Sequence, residues 1–162
     1  MSDIGIPALS LNASLATNVT VISGDTGVAL QGGSTLADSS VTARSPGVRT
    51  SGGGSVERST INATSGNAVY DVKGDVSVSN SSLTGLGGVE ADQGDGLVHD
   101  TLIRIKPSPD ADSGVVVGGL MILVGSGSHQ MSATNVTVVG DGQEGEFAAR
   151  TAGAQRRSCS RT

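Results

Sequence analysis

One eight-residue shape returns along this chain. "LADSSVTA" fills Leu36 to Ala43, and "VERSTINA", "VSNSSLTG" and "VHDTLIRI" begin at Val56, Val78 and Val98. The shape is an apolar residue, any two, Ser or Thr, any one, Val/Ile/Leu, any one, then a small or apolar residue. Looser copies, "SLATNVTV" and "MSATNVTV", begin at Ser14 and Met131. Aligned this way, the central apolar residues are Val19, Val41, Ile61, Leu83, Ile103 and Val136, at intervals of 22, 20, 22, 20 and 33 residues. A second feature keeps the same period. It is a small residue followed by an apolar one: Gly5-Ile6, Gly27-Val28, Gly47-Val48, Ala68-Val69, Gly88-Val89 and Gly114-Val115. Two features sharing one period of about 20 residues mark a stack of equivalent turns of chain, each of two or three short strands joined by Gly/Ser/Asp turns.

Alternation along a strand sends successive side chains to opposite faces. Thr17, Val19 and Val21 therefore share one face, as do Ser39, Val41 and Ala43; Ser59, Ile61 and Ala63; Ser81, Leu83 and Gly85; and Thr101, Ile103 and Ile105. The opposite face is small and polar, as at Ser40, Thr42, Thr60, Asn62, Ser82 and Thr84. Stacking such turns in register buries the apolar face as columns. It also sets the hydroxyls one above another at strand spacing, roughly 4.8 Å, where they can donate and accept along the row. With one Tyr, one Phe and no Trp in 162 residues, the interior is left to Val, Ile, Leu and Ala, which suits thin layers.

The rung length, the strand pattern x-[ST]-x-[VIL]-x-[small] and the Gly-apolar step resemble the right-handed parallel β-helix repeats of the pectate-lyase-like superfamily. The resemblance covers about residues 5–147. It implies an all-β fold, a right-handed parallel β-helix of about six rungs. The leucine–asparagine frame of leucine-rich repeats, a strict hexapeptide period and the G-G-x-G-x-D of calcium-binding nonapeptides are all missing. The expected organisation is a β-helix over 1–147 and a basic disordered tail over 148–162. All fifteen acidic residues precede Ala148, against six basic ones there; the tail carries four arginines. No capping helix is read before the rung-like "GIPALSL", and solenoids need capped ends. The β-helix is therefore expected to be a piece of a longer solenoid.

Several function classes recede on composition. A body with a net charge of about −9 and few aromatics suits nucleic acid poorly. One cysteine, Cys159, gives neither a disulfide nor a thiolate metal site. The N-terminus lacks a signal-peptide pattern, and the most apolar run, Val115–Val124, is too short to span a bilayer.

Polygalacturonases, which share the resembled fold, carry an R-I-K motif that binds the acidic sugar. Arg104-Ile105-Lys106 matches it, while the N-T-D, D-D and G-H-G motifs of catalysis are absent. Arg104 and Lys106 are thus candidate binding residues, set against the plain reading of a solvated strand end. Asp71 and Asp75 lie in one turn and Asp92 and Asp95 in the turn one rung later; stacked carboxylates suit Ca²⁺, set against ordinary Asp/Gly turn chemistry. Calcium is the one cofactor these residues suggest. Asp110, Asp112 and Gly114 resemble part of a calcium loop but lack its downstream Glu. His99, Asp100 and His129 could supply a base, without triad spacing or a nucleophile elbow. Five Asn-x-Ser/Thr sequons, at Asn12, Asn18, Asn62, Asn80 and Asn135, arise readily in so Ser/Thr-rich a chain.

The expected function is that of a structural or adhesive β-helix segment of a secreted or cell-surface protein, as in adhesins. The long interval between Ile103 and Val136 would be displayed for binding. The partners would be a polysaccharide or another surface protein. The alternative is a fragment of a polysaccharide lyase or glycoside hydrolase acting on acidic polysaccharide. No complete acid/base or metal constellation is visible, and no such activity is expected of this chain alone.

Overall fold

Each returning octet is a bend, with two short strands meeting at one left-handed residue. The computed structural model describes residues 6–107, 117–124, 128–140 and 146–153. The first rung is β1 (Leu9–Asn12), β2 (Leu15–Thr17) and β3 (Thr20–Ile22); the second is β4 (Val28–Gln31), β5 (Ser34–Ala37) and β6 (Ser40–Ala43). The third is β7 (Val48–Ser51), β8 (Gly54–Glu57) and β9 (Thr60–Ala63); the fourth is β10 (Asn67–Asp71), β11 (Val76–Ser79) and β12 (Ser82–Gly85). The fifth is β13 (Gly87–Ala91) and β14 (Gly96–Ile105), which runs through the bend unbroken. β15 (Val117–Val124) and β16 (Met131–Val139) lie on the fifth rung, and β17 (Glu146–Gly153) pairs with β15. All ladders are parallel, and no helix occurs among the described residues. The protein is an all-β parallel solenoid of about five turns. The boundary expected after residue 147 falls inside β17; residues 154–162 lie outside the described residues.

Three walls enclose the core. The first is the seven-stranded sheet that starts at β1; the other two are the halves of the ten-stranded sheet joined through β14. Inward columns run through the rungs. Val28, Val48, Val69 and Val89 stack in the first wall, Leu36, Val56, Val78 and Val98 in the second, and Val41, Ile61, Leu83 and Ile103 in the third. All twelve are fully buried.

The third column corrects the sequence reading at both ends. Val21, not Val19, pairs with Val41, and Val138, not Val136, pairs with Ile103. Val19 stands instead at the foot of the hydroxyl row Ser39–Ser59–Ser81–Thr101, and Val136 at its head. The hydrogen bonds give the reason for Val19. The amides of Val19, Ser39 and Ser59 donate to the hydroxyls of Ser39, Ser59 and Ser81 at 3.2, 3.1 and 3.1 Å. Each hydroxyl thus accepts from the rung before it, and a hydroxyl at position 19 would have no such amide beneath it among the described residues. The row also does not donate along itself, as the sequence suggested. Ser59, Ser81 and Thr101 donate to the carbonyls two residues back, at 2.7, 2.7 and 2.8 Å.

Those carbonyls flank the bend. Asn18, Asp38, Arg58, Asn80, Asp100 and Asn135, the residues just before this row, all have φ between 45° and 55°. Asn and Asp tolerate that conformation best. Arg58 is the exception, and its guanidinium lies on Asp38 with two contacts of 2.8 Å.

The Gly-apolar step has a steric cause. A Cβ at Gly47 would sit 2.4 Å from Ile61 Cγ2, one at Gly88 2.6 Å from Ile103 Cγ2, and one at Gly27 2.5 Å from Val41 Cγ1. All three neighbours branch at Cβ. The row holds Ala68 in the rung of Leu83, which does not branch there, and Ala8, exposed at the end of the coil, in the rung of Val21. The step begins one rung at Ala8-Leu9 rather than Gly5-Ile6, because Leu9 pairs with Val28. The sixth step is Gly119-Leu120, because Leu120 pairs with Val89. Gly114 and Val115 lie outside the described residues.

Candidate functional site

Arg104 and Lys106 end β14 and part company there. Arg104 points outward from the third wall, above Thr84, and is exposed. Lys106 folds down two rungs: its Nζ donates to Asn62 Oδ1 at 2.7 Å and to the Ala63 carbonyl at 3.3 Å. The ammonium is used as an internal strut. The two side chains make no joint cradle for a carboxylated sugar.

The four aspartates of the acidic corner form no single cluster, although Asp92, half-buried after β13, stays beside Asp71 and its amide donates to the Asp71 carbonyl at 3.0 Å. Asp71 ends β10 at an inward position, in the column Leu11–Leu30–Thr50–Asp71–Ala91–Ile122, and is fully buried. Thr50 Oγ1 donates to its Oδ1, while Oδ2 is buried with no partner. Burial pushes the Asp71 carboxyl up from the usual carboxylate range; the Thr50 hydroxyl and the Lys73 amide oppose this, and Asp75 and Asp92 add to it. Asp75 and Asp95 stay on the outer turn. Asp75 Oδ1 accepts the Asp95 amide at 3.1 Å, and Asp95 Oδ1 accepts the Gln130 amide at 2.9 Å. They line a shallow groove with Gly53, Ser55, Ser77 and Leu97. Among the described residues no three His, Cys, Asp or Glu side chains gather as a metal cage. Asp110, Asp112 and Gly114 lie outside the described residues.

The histidines pair with aspartates at the top of the coil. His99 Nδ1 lies 3.0 Å from Asp100 Oδ2, and His129 Nδ1 lies 3.6 Å from Asp95 Oδ1. Asn135 Nδ2 donates to Asp100 Oδ1 at 3.0 Å. His99 and Asn135 hold the Asp100 carboxyl below its usual range. Of these contacts Asn135–Asp100 ties β16 to β14, His99–Asp100 lies within β14 and His129–Asp95 joins the segments just before the two strands; no nucleophile is joined to either histidine among the hydrogen bonds of the described residues.

The bend also explains the sequons. Asn18, Asn80 and Asn135 occupy the left-handed corner, and the residues two positions on, Thr20, Ser82 and Thr137, are polar positions on the outer face of the third wall. Asn-x-Ser/Thr is there the local code of the turn. Asn62 differs, being half-buried and held by Lys106.

One group of residues escaped the sequence reading. On the outer face of the first wall, Arg49 on β7, Tyr70 on β10 and Glu90 on β13 are register partners in three consecutive rungs. All three are half-buried, so they lie against the sheet. Asn67 Nδ2 donates to Glu90 Oε2 and orients it. Burial pushes both Tyr70 and Glu90 up, with Asp92 and Glu90 adding to the effect on Tyr70. The signal was present: Arg49, Tyr70 and Glu90 each follow the Gly-apolar or Ala-apolar step directly. In the third and fourth rungs the outer positions of the other walls are mostly Ser, Thr and Asn (Ser55, Ser77, Thr60, Asn62, Ser82 and Thr84), while the fifth carries Leu97, His99, Leu102 and Arg104.

Fold and surface together define a parallel β-solenoid. Comparison with family models, with curated proteins and with solved structures finds no match.

Proposed function

We propose that this chain is a structural and adhesive segment of a secreted or cell-surface protein, a stiff coil that presents its outer faces to a polysaccharide or to another surface protein. One observation carries this reading: the groups that looked chemical are spent on structure. Lys106 braces two rungs, Asp71 is enclosed in a core column, and Asp100, which His99 pairs within β14, holds Asn135 of the strand above. In-register stacking gives such a coil its stiffness, since every rung is hydrogen-bonded to the next along all three walls.

A second reading, a fragment of a lyase or hydrolase acting on acidic polysaccharide, is favoured by the Arg49–Tyr70–Glu90 row. It sets a cation, a phenol and a carboxylate on one outer face across adjacent rungs. Against it, Glu90 is the one carboxylate among the register partners of that row, Ser10, Ala29, Arg49, Tyr70, Glu90, Met121 and Arg150. Incubating the protein with polygalacturonate, with and without Ca²⁺, and following unsaturated and reducing-end products separates the two. No product, together with retention on insoluble polysaccharide or on cell surfaces, is expected. Steady product release would replace the adhesive reading with the enzymatic one.

A further inference from the structure

We infer that the Arg49–Tyr70–Glu90 row is a binding site for a neutral polysaccharide chain lying along the coil axis. This rests on the adhesive reading and names its ligand and its face.

The phenol is the centre of the argument. Tyr70 is the only tyrosine, the chain has no tryptophan, and the other aromatic is Phe147. A lone aromatic in a core of Val, Leu and Ile would serve packing if it pointed inward. Tyr70 instead points outward from β10, with inward Val69 and Asp71 on either side. An aromatic ring lying half-exposed on a flat sheet offers an apolar face with a polar rim. The C–H face of a pyranose fits that surface, and its ring hydroxyls need planar donors and acceptors beside it. Arg49 supplies donors on one side and the Glu90 carboxylate supplies acceptors on the other. Neighbouring rungs are roughly 4.8 Å apart, so the three residues cover about 10 Å of the axis, a length that takes about two sugar rings.

Charge selects the class of polymer. Arg49 is the one cation among these three residues, with Glu90 two strands on and Asp92 just beyond the strand of Glu90; the same register continues through Met121 on β15 to Arg150 on β17. The whole stretch before Ala148 has fifteen acidic residues against six basic ones. A polyuronate or sulfated chain would meet net repulsion here. A neutral glycan would not. The side chains are also free for a ligand: among the described residues Arg49 forms no ion pair, and Asn67 already holds Glu90 in place. Pre-set side chains lower the ordering cost of binding.

The absence of a second tyrosine makes the test direct, because intrinsic tyrosine fluorescence reports on Tyr70 alone. The protein is titrated with xyloglucan, galactomannan and mixed-linkage β-glucan, and with polygalacturonate as the anionic counterpart. Affinity electrophoresis through gels holding the same polymers gives the second readout. At least one neutral polymer is expected to change the fluorescence saturably and to retard the protein; polygalacturonate should do neither. Tyr70→Ala should abolish the retardation with its Tm unchanged, Tyr70→Trp should keep it, and Thr60→Ala on the third wall should behave as the parent. Retardation that survives Tyr70→Ala would overturn this site and leave the adhesive reading standing. Retardation by polygalacturonate alone would overturn the neutral class. Failure of every polymer in both readouts would overturn the inference, and failure to bind any cell surface as well would take the adhesive reading with it.

Discussion

Two polar rows run through the interior of this coil, and they are built differently. In the third wall, Ser39, Ser59, Ser81 and Thr101 are buried; inter-rung amides meet the three serine hydroxyls, and local carbonyls accept from all four. In the first wall, Thr50 and Asp71 interrupt a column of Leu11, Leu30, Ala91 and Ile122, and Asp71 Oδ2 has no partner. A repeated polar group in a stack is satisfied by its own repetition, because each rung brings the amide that the next hydroxyl needs. A polar group used once brings only what its immediate neighbours happen to offer. Unsatisfied buried polar atoms are uncommon in folded proteins, and this one follows from a break in the repeat.

The harshest way to probe that contrast is to place a third polar group where no row exists. Ile61→Asp would put a charge in the dry third-wall column between Val41 and Leu83. A loss of several kcal/mol is expected, against a total stability of about 5–15 kcal/mol for a domain. Thr60→Asp, one residue away on the exposed outer face, should cost far less. Urea denaturation midpoints of the two variants compare them, and similar losses would refute the face assignment.

Cutting the satisfied row should cost less than that. Ser59→Ala removes the acceptor for the Ser39 amide, at 3.1 Å, and leaves a buried N–H unpaired. A loss of about 1–3 kcal/mol follows from the desolvated donor. Ser59→Thr should restore most of it, since Thr101 already fills the same row. If Ser59→Ala proves neutral in denaturant titration, the row contributes register but little stability.

The smallest effect belongs to the irregular pair, and it has the opposite sign. Asp71 has its carboxyl raised in the folded state, chiefly by burial. Folding therefore favours the neutral acid, and the penalty for ionising it is present at neutral pH. Stability should rise as pH falls through the folded value, with no further gain below the ordinary carboxylate range. Glu90, also raised by burial, contributes in the same direction. Asp38, held low by Arg58, and Asp100, held low by His99 and Asn135, act oppositely, and their contribution is lost only as pH drops below that ordinary range. Asp71→Asn should flatten the rise between neutral and mildly acid pH and match or exceed the parent at neutral pH. Tm against pH for both proteins, in chelator, reads this out. Parallel curves would mean that Asp71 ionises freely.

Much of this architecture was legible because stacking imposes one chemistry at one position in every turn. The period, the inward Val/Ile/Leu column and the hydroxyl row all follow from that repetition. The register slip at Val19 and Val136 has the same origin. "SLATNVTV" and "MSATNVTV" show a threonine two places before a valine, as the full copies do, and nothing in the letters says that valine has taken the hydroxyl's place. The row of left-handed residues would have resolved it, since Asn18 and Asn135 align with Asp38, Asn80 and Asp100.

What the sequence by itself determined was therefore everything that recurs: an all-β coil, its rung length and the inner and outer face of its strands. Its spacing of Gly against Val or Ile even encoded a steric fit that a single chain segment would not reveal. What only the tertiary structure decided concerns residues that occur once. Asp71 and Asp75 are four apart in one turn, yet one is walled in beside Thr50 while the other stays on the outer turn. Lys106 finds Asn62 across 44 residues. Arg49, Tyr70 and Glu90 become neighbours because two rungs of chain bring them into register. Repetition writes its own structure into the sequence, whereas the surroundings of a unique side chain are supplied by rungs far away along the chain.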